Sequence, residues 1–201
     1  MKIYGDAQSG NCYKIQLLLA HLQEPYEWID IDILAGDTQT DSFLKLNPNG
    51  KIPLLELDNG QCLSESNAIL NYLADGTALL PSDAWSRAQI LSWQFFEQYS
   101  HEPNIAVARF INKYLGLPDE RLSEYKNKQA GGHKALSVME NQLNRSAFIC
   151  GKTLTIADIS LYAYTHVADE GGFDLTDYPA INRWLSEVAT QPNHVSMRER
   201  T

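Results

Sequence analysis

The feature that most limits what this chain can fold into is a change of hydrophobic period near residue 75. Before it, short segments alternate between strand-like and helix-like patterns; after it, the pattern is helical almost throughout, with breaks near GLPDE, NRSAF and EGGFDLTDYP. Between the two lies ADGTALLPSDAW (Ala74 to Trp85), rich in Gly, Pro, Ser and Asp, which reads as a linker over 76–85. A chain of 201 residues is long enough to bury a core as one or two compact units. The expected organisation is therefore an α/β domain over 1–75 followed by an all-α domain over 86–201.

Inside the first part, KIYG (Lys2 to Gly5) predicts a strand, and Ile15, Leu18, Leu19 and Leu22 recur at helical spacing before Pro25. YEWIDIDI (Tyr26 to Ile33) sets Ile29, Ile31 and Ile33 on one face against Asp30 and Asp32 on the other, the period of a strand. Residues Pro53 to Leu57 and Gln61 to Ser64 flank Asp58-Asn59-Gly60, a turn signal that predicts an antiparallel hairpin. A helix over Glu65 to Ala74 follows, with Ile69, Tyr72 and Leu73 on its apolar side. The order is βαβ, then ββα.

Charge and cysteine usage exclude several functions. With 25 acidic against 16 basic residues the net charge is −9, which opposes the phosphate-neutralising surface that nucleic acid requires. Cys12, Cys62 and Cys150 are an odd number at wide spacing, so neither a disulfide framework nor a paired-CxxC metal site is expected. No run approaches the roughly 18 apolar residues of a membrane-spanning helix. MKIYGDAQSG has no apolar run of the kind a secretory signal needs, so a cytoplasmic location with reduced thiols is expected.

Three stretches carry candidate chemistry. SGNCYKI (Ser9 to Ile15) places Ser9, Asn11 and Cys12 where a strand hands over to a helix. NPNGKIP (Asn47 to Pro53) joins a turn to a proline that opens a strand; Ile52-Pro53 either starts an edge strand in trans or, in cis, turns the Ile52 amide and carbonyl toward an extended peptide. SESNAI (Ser64 to Ile69) sets hydroxyls and backbone amides at a helix start, which serve as a cap, as an anion site, or as both.

Taken in sequence, SGNCYKI, NPNGKIP, LSESNAIL, the linker and the helical second half resemble the cytosolic glutathione transferases, in their bacterial branch with a serine in the first loop. The resemblance covers essentially the whole chain. LTIADISL (Leu154 to Leu161) adds to it: Thr155 and Asp158 have capping-box spacing, and their expected role is structural.

The resemblance implies a thioredoxin-like N-terminal domain that binds glutathione as co-substrate and an all-helical domain that forms the pocket for an electrophilic small molecule. It further implies a cytoplasmic homodimer that conjugates electrophiles in detoxification. Ile52 would pair its backbone with the cysteinyl part of glutathione beside Pro53, and Glu65 and Ser66 would hold the γ-glutamyl end. Lys51 would face the glycyl carboxylate. The basic residue often found in the preceding loop is missing from AGDTQTDSF, leaving Thr38 or Gln39.

Ser9 matches the serine that stabilises the glutathione thiolate in several classes, and Asn11 is a second donor. Tyr4 is the only tyrosine near the position other classes use, and it belongs to the strand itself. Cys12 is either a small buried hydrophobe or a thiol able to form a mixed disulfide, the chemistry of the disulfide-reducing branches. Cys12, Tyr99, Arg109 and Tyr162 are pocket candidates, together with His101 and Tyr114. Two alternatives stay open: a glutathione-dependent disulfide reductase and a noncatalytic glutathione-binding protein.

Overall fold

The computed structural model describes residues 1–197. The chain divides into two compact units, Met1–Asp75 joined by the segment that begins at Pro192, and Gly76–Gln191.

The first unit is built on a four-stranded sheet of order β2-β1-β3-β4. Strand β1 (Lys2–Gly5) runs parallel to β2 (Glu27–Asp30) and antiparallel to β3 (Leu54–Glu56), which pairs antiparallel with β4 (Cys62–Ser64). Two parallel neighbours need a crossover, and helix α1 (Gly10–Leu22) supplies it. Strand alternation then sorts the side chains. Ile3 and Leu55 are partners across the ladder and both are fully buried. Gly5 lies on the same face, against α1, where an added β-carbon would fall 2.9 Å from Cys12 Sγ and 2.6 Å from the Trp28 ring. On the opposite face Tyr4 and Leu54 join Ile31, Phe43, Leu46 and Ile52 in a second apolar cluster.

Three local expectations are corrected. The second strand stops at Asp30 because Asp32 turns the chain, its carboxylate accepting from the amides of Leu34 and Ala35, so Ile33 is exposed rather than buried. A short helix α2 (Asp41–Leu46), capped by Thr40 Oγ1 on Phe43 N at 3.3 Å, stands where no helix is predicted. Helix α3 (Ser66–Leu73) turns Ser66, Ile69 and Leu70 inward, at i, i+3 and i+4, and leaves Tyr72 exposed. Helices α1 and α3 pack against each other.

The segment from Pro192 also packs on α1. The Tyr13 hydroxyl donates to Val195 O at 2.7 Å, and His21 Nδ1 lies 2.9 Å from Pro192 O. Residues Pro192 to Met197 therefore group with the first unit, although they fall in the range where the all-α domain is expected.

The second unit contains α4 (Ala84–Phe96), α5 (Glu102–Arg109), α6 (Leu122–Leu143), α7 (Ile156–Thr165) and α8 (Pro179–Ala189). A π-helical turn over Glu97–His101 separates α4 from α5. Pro103 has no N–H to direct at the carbonyl four residues back, so an unbroken α-helix cannot run through this point. Helix α7 is buried along its whole length. No helix among the described residues is long and apolar enough to cross a membrane.

Candidate functional site

The loop after β1 is fixed before the helix begins. Asp6 accepts from Gln8 N through its carboxylate at 2.9 Å and from Ser9 N through its carbonyl at 3.0 Å, which sets Ser9 in extended backbone as the N-cap of α1. Ser9 Oγ accepts from Cys12 N at 3.4 Å, a long capping bond. The Ser9 hydroxyl also hydrogen-bonds the Cys12 side chain, a weak sulfur partner, and it stands at the positive end of α1, where it can be turned to a ligand.

One step inside the helix, Asn11 meets the start of α3. Asn11 Oδ1 accepts from Ser66 Oγ at 3.2 Å and from Lys14 Nζ at 2.8 Å, and Lys14 Nζ also lies 3.2 Å from Ser66 Oγ. Ser66 is the first residue of α3 and Lys14 is fully buried. The N-termini of two helices, each favouring negative charge, are thus bridged side chain to side chain. Glu65, just before α3, has φ +68° and ψ 111° with its side chain exposed. A residue with a β-carbon is held in such a conformation at a cost of about 1–3 kcal/mol, and such outliers cluster at ligand sites.

The NPNG turn is braced from within. Asn47 Nδ2 donates to Lys51 O at 2.7 Å, and Asn47 Oδ1 accepts from Asn49 N at 3.1 Å. Gln39 Nε2 donates to Thr38 Oγ1 at 3.2 Å and reaches Gly50 O at 3.4 Å. Gly50 has φ +60°, which favours glycine, and an added β-carbon would sit 2.7 Å from Gln39 Nε2 and 3.2 Å from the Thr38 carbonyl oxygen. Gln39, Lys51, Ile52 and Pro53 therefore belong to one loop assembly. The Ile52-Pro53 peptide is cis and the Lys51 side chain is exposed.

Two thiolate-related candidates are placed unfavourably. Cys12 is fully buried, and that burial pushes its thiol up to about 12, so as placed it is neither a ready nucleophile nor the lining of a pocket. The Tyr4 hydroxyl donates to Glu56 Oε2 at 2.5 Å, and this bond together with burial raises it to about 12, which unsuits it for stabilising a thiolate.

In the second unit the pocket candidates scatter. Arg109, expected as a cation for a substrate group, is instead buried and ion-paired with Glu170, which also binds Lys113 Nζ at 2.6 Å. Burial pulls the Glu170 carboxyl upward, yet the bonds from Lys113 and Arg109 hold it below its ordinary range. The Arg109 guanidinium lies 5.4 Å from the Tyr114 ring centroid. Tyr162 is buried between His166 and Trp184, and the His101 ring bonds Thr165 Oγ1 at 2.8 Å inside the core. Tyr99, at 89% exposure, lies open on the surface. Arg109 and Tyr114 come together; Tyr99 is exposed, and Tyr162 is buried against other rings. Thr155 and Asp158 form the expected capping box at the start of α7. Among the described residues no group of three or more His, Cys, Asp or Glu is placed to hold a metal ion.

Residues 1–75 match the model of the glutathione S-transferase N-terminal domain and residues 99–192 that of the C-terminal domain. A crystal structure of a glutathione S-transferase from Pseudomonas fluorescens Pf-5 is 62% identical, covers 98% of each chain and superposes with a TM-score of 0.97. The chain belongs to the glutathione S-transferase family. Its fold is that of the glutathione S-transferases, a thioredoxin-like sheet domain and a helical domain, as the sequence predicts. Another P. fluorescens Pf-5 family member, solved with two glutathione molecules bound, is 26% identical with a TM-score of 0.83, covering 96% of this transferase-family chain and 89% of its own. The disulfide-bond oxidoreductase YfcG of Escherichia coli is 29% identical over 92% of this chain and 89% of its own.

Lys14 is the member of this site that sequence reasoning misses. Its signal is faint: a single lysine leading an otherwise apolar helical run, three residues after Asn11 and so on the same face.

Proposed function

We propose that this family member is a glutathione transferase that binds glutathione along its first unit and presents the thiolate to an electrophilic small molecule. The observation that carries the reading is the 3.2 Å bond from Ser66 to Asn11, which joins two helix N-termini into one anion-favouring site. Glutathione has two groups to match: an α-carboxylate for Ser66 and the α3 terminus, and a thiolate for Ser9 at the α1 terminus. Glu65 accepts from the α-amino group, the Ile52 backbone beside Pro53 pairs with the cysteinyl peptide, and Lys51 and Gln39 face the glycyl carboxylate.

Lowering a free thiol from ~8.5 by about two units requires ~2.7 kcal/mol of preference for the anion. A hydroxyl donor and a helix terminus together are of that order. The thiolate then attacks the electrophilic carbon and the leaving group departs with its electron pair. A cytoplasmic homodimer acting in detoxification fits this reading. Support for self-association is the exposed apolar stripe Leu91, Phe95 and Tyr99, spaced four residues apart along α4 and the turn that follows.

A second reading, glutathione-dependent disulfide reduction, is favoured by the similarity to the E. coli oxidoreductase. The burial of Cys12 removes the thiol of the first loop from that chemistry, so at this site a reductase would work through glutathione itself. Turnover of glutathione with an aryl halide supports the transferase. Turnover only with a hydroxyalkyl disulfide overturns it in favour of the reductase, and glutathione binding with neither activity leaves a binding protein.

A further inference from the structure

Lys14 is fully buried, yet it bonds both groups assigned to the thiol and to the γ-glutamyl end of glutathione, 2.8 Å from Asn11 Oδ1 and 3.2 Å from Ser66 Oγ. An ammonium group only donates hydrogen bonds, and burying one is costly, so its position is informative. It cannot lie within hydrogen-bonding range of an amide NH2 as a partner. The Asn11 carbonyl oxygen must therefore face Lys14, and the trigonal geometry of the amide turns the NH2 group away from it.

We propose that Lys14 is a positioning residue that fixes Asn11 as an N–H donor at the sulfur end of the site. The same ammonium bonds Ser66, so one buried side chain ties the donor at the start of α1 to the carboxylate-binding hydroxyl at the start of α3. Ser66 reinforces the lock by donating to the same Asn11 oxygen. Without Lys14 the Asn11 amide can turn over, presenting an oxygen to the thiolate for part of the time and repelling it. The inference rests on the proposed function for the identity of the ligand, while the lock itself belongs to the unliganded protein.

Two measurements separate these levels. In the free protein, the Asn11 side-chain NH2 should be rigid by NMR relaxation, and Lys14→Met, close to lysine in length and without donors, should make it mobile. An Asn11 amide equally rigid in both proteins overturns the lock. With glutathione, thiolate absorbance against pH reports the bound thiol.

Lys14→Met should raise that pKa by about half a unit to one unit, a three- to tenfold loss of thiolate near neutrality, and should add nothing in an Asn11→Ala background. A pKa unchanged in Lys14→Met but raised in Asn11→Ala overturns the role, as does full additivity. Asn11→Asp keeps an oxygen for Lys14 but removes the N–H donor, and should also raise the pKa; retention of the wild-type value would overturn the assignment. If wild type binds glutathione without lowering its thiol pKa, the proposed function fails and this inference with it. A mobile Asn11 amide in Lys14→Met would still show that the lock exists.

Discussion

Two helix starts in this molecule look alike in sequence and differ in how completely they are satisfied. At α7, Asp158 is fully buried and accepts from Ile149 N at 2.8 Å, Thr155 N at 2.9 Å, Thr155 Oγ1 at 3.0 Å and Trp184 Nε1 at 3.0 Å. Both of its oxygens are saturated by the protein. At α1, Ser9 accepts one long bond and otherwise meets the weak sulfur partner of Cys12, while Asn11, Lys14 and Ser66 bond one another just inside. A saturated cap stabilises a fold and has nothing left for a ligand; a half-satisfied one is where a ligand completes the bonding.

The contrast breaks first at Asp158. Asp158→Ala leaves two backbone amides and an indole N–H buried without their acceptor, so the expected loss is about 3–5 kcal/mol, well beyond the ~0.5–2 kcal/mol of an ordinary cap. Chemical denaturation measures it, and glutathione affinity of the folded fraction should be nearly unchanged. A variant with wild-type stability and lost binding would reverse the assignment of the two helix starts.

Ser66→Ala should do the opposite. Loss of a hydroxyl bound to a carboxylate at a helix terminus should weaken glutathione by about 1.5–3 kcal/mol in calorimetry, with a much smaller change in stability. Unaltered affinity would remove α3 from the site.

Glu65 sharpens the comparison from the backbone side. Because φ is +68°, Glu65→Gly should relieve strain and raise stability by about 1 kcal/mol while weakening glutathione. A melting temperature that falls together with affinity would mean the conformation is not strained.

The smallest effect concerns the segment lying on α1. Burial lowers His21 and His194 below the ordinary 6.5, and for His194 the charge of His21 adds to this. The unfolded chain then binds protons that the native state refuses, so this contribution is present above about pH 6.5 and is lost as pH falls from there through the depressed native values. Thermal unfolding from pH 7.5 to 5.5 should show declining stability, with a shallower slope in His21→Gln. An identical slope would mean the histidines do not sense the fold.

How much of this could be read from the residues follows from range. Ser9, Asn11 and Ser66 are legible because strand-to-helix handovers leave local signals, and the α7 box because its two residues are three apart. Helix α2 is six residues long in a polar stretch, too short for a period to emerge. The Arg109–Glu170 pair spans 61 positions and the Tyr13–Val195 bond 182, distances at which one sequence carries no pairing signal. For Arg109 the local reading saw a helical cation and could not see its acceptor. The loop that misses a basic residue at 35–43 was legible only as a departure, and the structure fills it with Gln39 bracing Gly50.

The central claim, that the half-satisfied start of α1 holds a thiolate, is tested most directly by titrating the thiol of bound glutathione in wild type, Ser9→Ala and Asn11→Ala. The account predicts a wild-type value about two units below the free ~8.5, raised by about one to two units in Ser9→Ala with a ten- to thousandfold loss of conjugation and little loss of affinity, and raised less in Asn11→Ala. A Ser9→Ala protein whose bound thiol titrates as in wild type, beside an Asn11→Ala protein that is the more damaged of the two, would contradict it.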